Sequence, residues 1–195
     1  MELSGKRIGF AITGSFCTYG QIMPVIKEMK KAGAEITPIL SYSAAGNDTR
    51  FIKAAEFKHF LTLTTGHSII ETLVDAEPIG PQKLLDLVII APCTGNTLAK
   101  LAAGVTDTPV LLAAKAHLRN ARPVLVAVST NDALSANARN LGALHNTRNV
   151  FLVPYAQDNA QGKPTSIVAD MALIPQAAAH ALDFRQLQPV VLAPK

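Results

Sequence analysis

Residues 86–100 read DLVIIAPCTGNTLAK, and this stretch decides the fold class. Its first part is a continuous apolar run of strand length, which is typical of a strand buried on both faces of a sheet. The run stops at a proline, a polar turn follows, and the segment at about residues 97–103 predicts a helix. A fully apolar strand that brings Thr94, Asn96 and Thr97 to one point predicts a binding site at that turn.

The same alternation of strand and helix extends along the whole chain. Strands are predicted at residues 6–13, 35–40, 68–74, 86–92, 123–128 and 150–154. Helices are predicted at residues 18–32, 48–64, 97–103, 107–120, 134–144 and 164–182, with loops at 44–47 and 76–82. The strands are near-continuous apolar runs, so the pattern indicates a three-layer α/β/α Rossmann-like fold with a mostly parallel central sheet. Pro38 cannot donate to a ladder, which places the second strand near a sheet edge.

The composition limits the class of protein. Of 195 residues, 49% are hydrophobic and 16% are charged, a balance that predicts a single domain over residues 1–195 and favours a homo-oligomer. The net charge is +4, but Lys and Arg are dispersed and Trp is absent, so we expect no nucleic-acid partner. There is no apolar run of the roughly 20 residues that span a membrane and no signal-peptide pattern, so we expect a cytoplasmic protein without a membrane partner.

Polar side chains follow four of the predicted strands. In a doubly wound sheet, ligands bind outside the carboxyl ends of the strands. The candidate ligand-binding residues at these ends are Gly14, Ser15, Ser41, Pro92, Thr94, Gly95, Asn96, Thr97, Ser129, Thr130 and Asn131. Each turn alone is equally well explained as a helix cap. Four such turns on one edge favour a ligand that carries a phosphate group.

The phosphate need not be that of a dinucleotide such as NAD. Gly9 and Gly14 do not make a GxGxxG motif, and no acidic residue closes the second strand, where the ribose of NAD requires one. Ser41 stands there instead, and the sequence has no Walker A motif. These absences favour a mononucleotide such as FMN.

The turn PCTGNT at residues 92–97 resembles the PxSANT-type motif of the flavoprotein family that includes homo-oligomeric cysteine decarboxylases. The resemblance is carried by residues 5–19, 41–51, 76–81, 91–115, 129–134 and 157–171. It implies that Ser15 and Ser41 hold the FMN phosphate. It also implies that Thr94, Asn96 and Thr97 hold the phosphate and ribityl chain, and that residues 129–131 lie beside the isoalloxazine ring.

The resemblance also implies an activity. The decarboxylases use a histidine at a position where this chain has Pro78, so the proton-handling group of that chemistry is missing. Within the family, the resemblance implies instead one component of a sporulation oxidoreductase that makes an aromatic pyridine dicarboxylate. Its partner is implied to be a dehydrogenase-like protein that carries NADP. The alternatives are a stand-alone FMN-dependent lyase or decarboxylase, and a non-catalytic component that binds a nucleotide or phosphate.

Candidates for the remaining chemistry follow from residue type. A dicarboxylate substrate requires cationic groups, and Arg50 and Lys115 are the predicted substrate-binding residues. Cys17 and His67 are the candidates for a catalytic proton-handling role: Cys17 follows the first strand near the predicted site, and His67 follows Gly66 in a loop. The histidines and cysteines lack metal-ligand spacing, so we predict no metal site.

Overall fold

A computed structural model describes residues 3–193 of the chain. The strands are β1 (Arg7–Ile12), β2 (Glu35–Leu40), β3 (Leu87–Cys93), β4 (Val124–Thr130), β5 (Val150–Leu152), β6 (Tyr155–Ala156) and β7 (Ile167–Ala169). The helices are α1 (Tyr19–Lys31), α2 (Tyr42–Gly46), α3 (Ala54–Thr65), α4 (Leu73–Ala76), α5 (Gly95–Ala102), α6 (Pro109–Arg119), α7 (Ala138–His145) and α8 (Ile174–Leu182). Short 3-10 turns occupy Phe16–Thr18, Glu77–Ile79 and Met171–Leu173.

The seven strands form one mixed sheet in the order β2-β1-β3-β4-β7-β6, with β5 paired to the first half of β4. The pairs among β1 to β5 are parallel, and β7 runs antiparallel to both β4 and β6. All seven residues of β3 are buried, as its apolar run predicts. The predicted α/β class with a mostly parallel sheet is therefore confirmed.

The strand order explains where a ligand can bind. From β1 the chain passes to β2 on one side and later returns to β3 on the other side. Helix α1 lies in the crossover from β1 to β2, and α6 lies in the crossover from β3 to β4, which runs in the opposite direction across the sheet. Because both crossovers are right-handed, α1 and α6 cover opposite faces of the sheet. Accordingly α1 packs with α8, whereas α6 packs with α4 and α5. The carboxyl ends of β1 and β3 thus flank the point where the winding reverses, which is the ligand-binding crevice of open α/β sheets.

Strand β2 lies at the sheet edge, as Pro38 predicts. The strand predicted at residues 68–74 is wrong, because only Ile70 bridges to β2. The N–H of Ile70 donates to the Pro38 carbonyl, and its own carbonyl accepts from the N–H of Leu40. The Thr72 hydroxyl then accepts from the Asp75 N–H and begins α4, which ends the extended segment.

Three further boundaries differ from the prediction. The predicted loop at 44–47 includes most of the short helix α2, which Ser41 caps by accepting from the Ala44 N–H. Asp48 does not begin a helix at once; it accepts from the N–H of Ala54, where α3 begins. The sequence predicts one helix over residues 164–182, but residues 167–169 form β7 and only the later part is helical.

The remaining helix and strand predictions differ mainly at their ends. The helix predicted at 134–144 begins only at Ala138, because the Asp132 carbonyl accepts from the N–H groups of Ser135 and Asn137 in a turn before it. Residues 150–154 are not the last strand, since β6 and β7 follow. Within residues 3–193, no helix combines the length and apolarity that a membrane crossing needs.

Candidate functional site

Two neighbouring cavities lie at the carboxyl ends of the parallel strands. The first has a volume of about 610 Å³ and the second about 400 Å³, and Gly14 and Thr94 line both. Volumes of this size suit a cofactor or a small-molecule ligand. The turns after β1 and β3 therefore form the shared wall between two compartments.

The first cavity is a polar compartment beside the start of α5. Its polar lining consists of Thr13, Ser41, Tyr42, Ser43, Asn47, Thr94, Asn96, Thr97, Lys100, Asp107 and Thr108. The cation among them is paired, since the Lys100 Nζ atom lies 2.6 Å from a carboxylate oxygen of Asp107. Hydroxyl and amide donors beside an ammonium group and a helix N-terminus suit a phosphate group.

Buried hydrogen bonds hold the β1 and β3 turns together. The Thr13 hydroxyl donates to the Pro92 carbonyl at 2.6 Å and accepts from the Thr94 N–H at 3.0 Å. The Tyr19 hydroxyl donates to the Thr13 carbonyl at 3.0 Å. Thr13 is only 1% exposed, so its side chain fixes the turn rather than a ligand. This structural role is not visible in the sequence, because it depends on the pairing of β1 with β3.

The N-terminus of α5 is capped and closely packed. The Thr94 hydroxyl accepts from the Thr97 N–H at 3.4 Å and lies 3.2 Å from the Thr97 hydroxyl. Gly95 faces a hydrogen-bonded group on the turn after β4, in which Asp132 accepts from the Thr130 hydroxyl. A Cβ atom on Gly95 would lie 2.6 Å from the Thr130 hydroxyl oxygen. The capping of α5 and the turn after β4 therefore depend on each other.

The second cavity lies between the ends of β1 and β4 and the loop that joins β6 to β7. Its lining residues are Gly14, Ser15, Cys17, Thr94, Ser129, Thr130, Asn131, Asp158, Lys163, Ser166 and Val168. The Ser15 and Ser129 hydroxyl oxygens are 2.8 Å apart. The Lys163 ammonium lies 3.4 Å from an Asp158 carboxylate oxygen. This compartment offers hydroxyl groups, an exposed thiol and one lysine.

The two cavities divide the predicted ligand-binding residues between them. Gly14, Ser41, Thr94, Asn96 and Thr97 line the first, and Gly14, Ser15, Thr94, Ser129, Thr130 and Asn131 line the second. Pro92 and Gly95 line neither, since both serve the packing of the turn. Ser15 and Ser41 thus face different compartments, although the resemblance assigns both to one phosphate.

The predicted substrate-binding cations line neither cavity. Arg50 is exposed, with its guanidinium carbon 4.8 Å from the centre of the Phe51 ring. Lys115 is exposed at a separate cavity of about 290 Å³ that is lined by residues of α5, α6 and the segment between them. Their role in substrate binding stays a prediction.

The catalytic candidates are also separated. Cys17 is exposed and lines the second cavity, whereas His67 is exposed in the loop after α3 and lines neither cavity. Cys93 is fully buried, and burial raises the pKa of its thiol well above the usual range. In residues 3–193, the His, Cys, Asp and Glu side chains form no group of three that could hold a metal ion.

Several lining residues are not among those predicted from the sequence. Lys100 and Thr108 could have been predicted from the sequence. Lys100 is the last residue of the segment 86–100, and Thr108 directly precedes Pro109 at the start of α6. Asp158, Lys163 and Ser166 lie in the segment 157–171 that carries the resemblance, but no motif there marks them as ligand-binding residues. They reach the second cavity only because β6 and β7 fold back against β4.

Known proteins resemble this chain along its length. Residues 1–179 match the Flavoprotein family. The dipicolinate synthase B subunit of Bacillus subtilis (strain 168) is 47% identical over 191 residues, which are 98% of this chain and 96% of that protein. The crystal structure of the dipicolinate synthase B subunit from Bacillus halodurans C has a TM-score of 0.92 at 42% identity and covers 100% of both chains.

A more distant structure shares the architecture. The FMN-dependent cysteine decarboxylase SpaF has a TM-score of 0.68 at 19% identity, covering 93% of this chain and 98% of that chain, and this likeness shows the fold alone. The similarity to the B subunits from Bacillus subtilis and Bacillus halodurans shows that the protein is a close homologue of the dipicolinate synthase B subunit. The match over residues 1–179 shows that the chain belongs to the Flavoprotein family.

Proposed function

We propose that this protein is the B subunit of a dipicolinate synthase. Together with a dehydrogenase-like A subunit, it forms dipicolinate during sporulation, by oxidation of dihydrodipicolinate or of its hydrated tetrahydro precursor. The observation that carries this proposal is the 47% identity to a dipicolinate synthase B subunit over 98% of the chain. The location is cytoplasmic, where the substrate and the A subunit meet.

The cofactor of this proposal is FMN, supported by family membership and by the donors of the first cavity. Thr97 and Asn96 at the N-terminus of α5, with Ser43 and Lys100, suit the phosphate end of the molecule. The hydroxyl and backbone groups of the shared wall, at Gly14 and Thr94, lie between that end and the second cavity. When bound, FMN supplies a two-electron acceptor.

The substrate side of the site is the second cavity. Oxidation of dihydrodipicolinate to dipicolinate removes two electrons and two protons from the ring. A hydride, which carries both electrons and one of the protons, would pass to bound FMN or to NADP⁺ on the A subunit, and the second proton would pass to a basic group or to water. Ser15 and Ser129 can orient the substrate by hydrogen bonds, and Cys17 is the catalytic candidate that lines this cavity. Pro78, in place of the decarboxylase histidine, supports oxidation over decarboxylation.

The test mixes the purified chain with a purified A subunit, NADP, FMN and freshly prepared dihydrodipicolinate. The absorbance of dipicolinate measures its formation. We expect dipicolinate to form when both proteins are present, and little or none to form with either protein alone. Full activity of the chain alone contradicts the two-component proposal. Absence of product with both proteins present, together with an ordered phosphate in the cavities, favours the non-catalytic alternative.

The cofactor is tested separately. An absorption spectrum of the protein is recorded after incubation with FMN and desalting. A retained flavin band supports FMN binding. If titration with FMN gives no spectral change and no heat, FMN is not the ligand of the first cavity.

A further inference from the structure

The second cavity contains a positive charge that the mechanism above does not use. Of the described residues that line it, Lys163 is the one with a cationic side chain. The other polar groups there are hydroxyls, an amide, a thiol and the carboxylate of Asp158. Neither Arg50 nor Lys115 lines this cavity. Among the described lining residues, Lys163 is therefore the one that can form an ion pair with an anion bound in it.

Hydrogen bonds on both sides fix the backbone of Lys163. The loop at residues 157–166 is folded on itself: the N–H of Lys163 donates to the Asn159 carbonyl at 2.8 Å, and the Gln157 amide donates to the Pro164 carbonyl at 2.8 Å. The folded loop is in turn attached to the strand ends. Its Thr165 hydroxyl donates to the Asn131 carbonyl at 2.6 Å.

The partner that Lys163 has in the structure holds it weakly. The Lys163 side chain is 59% exposed, and its ammonium lies 3.4 Å from the Asp158 carboxylate, which is long for a charge-assisted hydrogen bond. Exposed pairs of this kind contribute little, so an incoming carboxylate can replace the contact at small cost. Although its partial burial acts in the opposite direction, the pKa of Asp158 is lowered by hydrogen bonds from Ser166 and Lys163. Asp158 is therefore ionised and pairs with the Lys163 ammonium beside the cavity.

We propose that Lys163 determines substrate specificity by binding a ring carboxylate of the dicarboxylate substrate in the second cavity. The Ser15 and Ser129 hydroxyls, which are 2.8 Å apart and line the same cavity, are the further donors for this ligand. The inference rests on the proposed function, because it names the group that recognises the substrate of that reaction.

The experiment uses the complex of this chain with FMN and the A subunit, and it measures the affinity for dipicolinate by calorimetry. The variants are Lys163→Gln, which removes the charge, and Lys163→Arg, which keeps it. Lys6→Gln is the matched control, since Lys6 is exposed just before β1 and lines neither cavity. Picolinate, which has a single carboxylate, is the second probe.

We expect Lys163→Gln to raise the Kd for dipicolinate about tenfold or more and to raise KM by a similar factor. Its Kd for FMN stays unchanged, which excludes a collapse of the site. Lys163→Arg should retain most of the affinity for dipicolinate, and Lys6→Gln should retain all of it. In Lys163→Gln the ratio of the Kd for picolinate to the Kd for dipicolinate should be smaller than in the unchanged protein.

Equal binding of dipicolinate by Lys163→Gln and the unchanged protein overturns this inference and leaves the proposed function standing. If the unchanged complex neither binds dipicolinate nor forms it, the proposed function itself fails, and the inference fails with it.

Discussion

Gly95 is the residue whose substitution tests the turn most directly. A Cβ atom there would lie 2.6 Å from the Thr130 hydroxyl oxygen and 2.7 Å from both Asn137 Nδ2 and Asp132 Oδ1. The Thr130 hydroxyl donates to Asp132 Oδ1 at 2.6 Å and the Asn137 amide donates to Asp132 Oδ2 at 2.7 Å, so these groups cannot move aside without breaking hydrogen bonds. We expect Gly95→Ala to lower the free energy of unfolding by about 1–3 kcal/mol, measured by urea denaturation. The same change should weaken FMN binding by about tenfold.

Gly142→Ala is the control for this prediction. Gly142 lies inside α7, and a Cβ atom there would meet nothing within 4 Å. Alanine is the better helix former, so this substitution should raise stability by about 0.5–1 kcal/mol and leave FMN binding unchanged. If Gly95→Ala behaves like Gly142→Ala, the packing of the α5 turn against the turn after β4 does not matter for binding.

His117 gives the protein a pH-dependent stability. His117 is 2% exposed. Among the buried side-chain nitrogen and oxygen atoms of residues 3–193, its Nε2 atom is the one that has no hydrogen-bond partner. Burial lowers the pKa of His117 from 6.5 to about 4; the Arg122 charge acts in the same direction, whereas the hydrogen bond to the Asp86 backbone and the Asp86 charge oppose it. Below about pH 6.5 the unfolded chain therefore binds a proton that the folded protein does not.

The sign of this effect is a loss of stability on acidification. Between about pH 7.5 and pH 5, His117 alone should remove about 2 kcal/mol from the free energy of unfolding, and the loss should level off below about pH 4. Urea denaturation of the unchanged protein and of His117→Asn at both pH values measures the difference. His59→Asn, at an exposed histidine, should keep the full pH dependence. An equal pH dependence in His117→Asn would refute the assignment.

Helix α5 links folding to ligand binding through its cap. Thr94 caps this helix and lines both cavities, whereas Thr72 caps α4 away from them. We expect Thr94→Ala and Thr72→Ala each to lower the free energy of unfolding by about 1 kcal/mol, as lost caps do. Only Thr94→Ala should also weaken FMN binding, measured by titration at a temperature where both variants are folded. Equal FMN affinity in both variants would show that Thr94 serves the helix alone.

Elements with local signals could be predicted from the sequence. Strand β3 is an uninterrupted apolar run, and the start of α6 has Thr108 as its cap and Pro109 in its first turn. The meeting of the strand ends was also predictable, because parallel strands place their carboxyl ends on one edge. The polar turns after β1, β2, β3 and β4 accordingly line the two cavities.

Elements that depend on distant partners could not be predicted. Strands β6 and β7 have two and three residues, and β7 exists because Ile167 and Val168 pair with Thr130 and Ser129. Apolar residues at that spacing also fit a helix, which is why the sequence predicts a single helix over residues 164–182. The position of Lys163 at the second cavity could not be predicted for the same reason.

At the scale of the whole molecule, the surface suggests self-association. Charged residues make up 16% of the chain, well below the roughly 25% that is usual in globular domains. Tyr42 and Phe51 are about half exposed, at 50% and 51%, and both lie in the segment after β2. Arg50 stacks on Phe51, and tyrosine, phenylalanine and arginine are enriched in protein interfaces. This segment is adjacent to the first cavity, since Tyr42 lines it.

We expect the protein to be a homo-oligomer that buries this segment between copies. Sedimentation velocity should give a mass several times the 20.6 kDa of the chain, and Phe51→Glu should lower it, because burying a carboxylate between copies in place of an aromatic ring opposes association. Leu63→Glu is the control, since Leu63 is 75% exposed on α3 and its substitution should leave the mass unchanged. A monomer of the unchanged protein contradicts the oligomer, whereas an oligomer that Phe51→Glu does not alter places the interface elsewhere.

Because Tyr42 lines the first cavity, a dissociated Phe51→Glu protein should also bind FMN more weakly than the oligomer does.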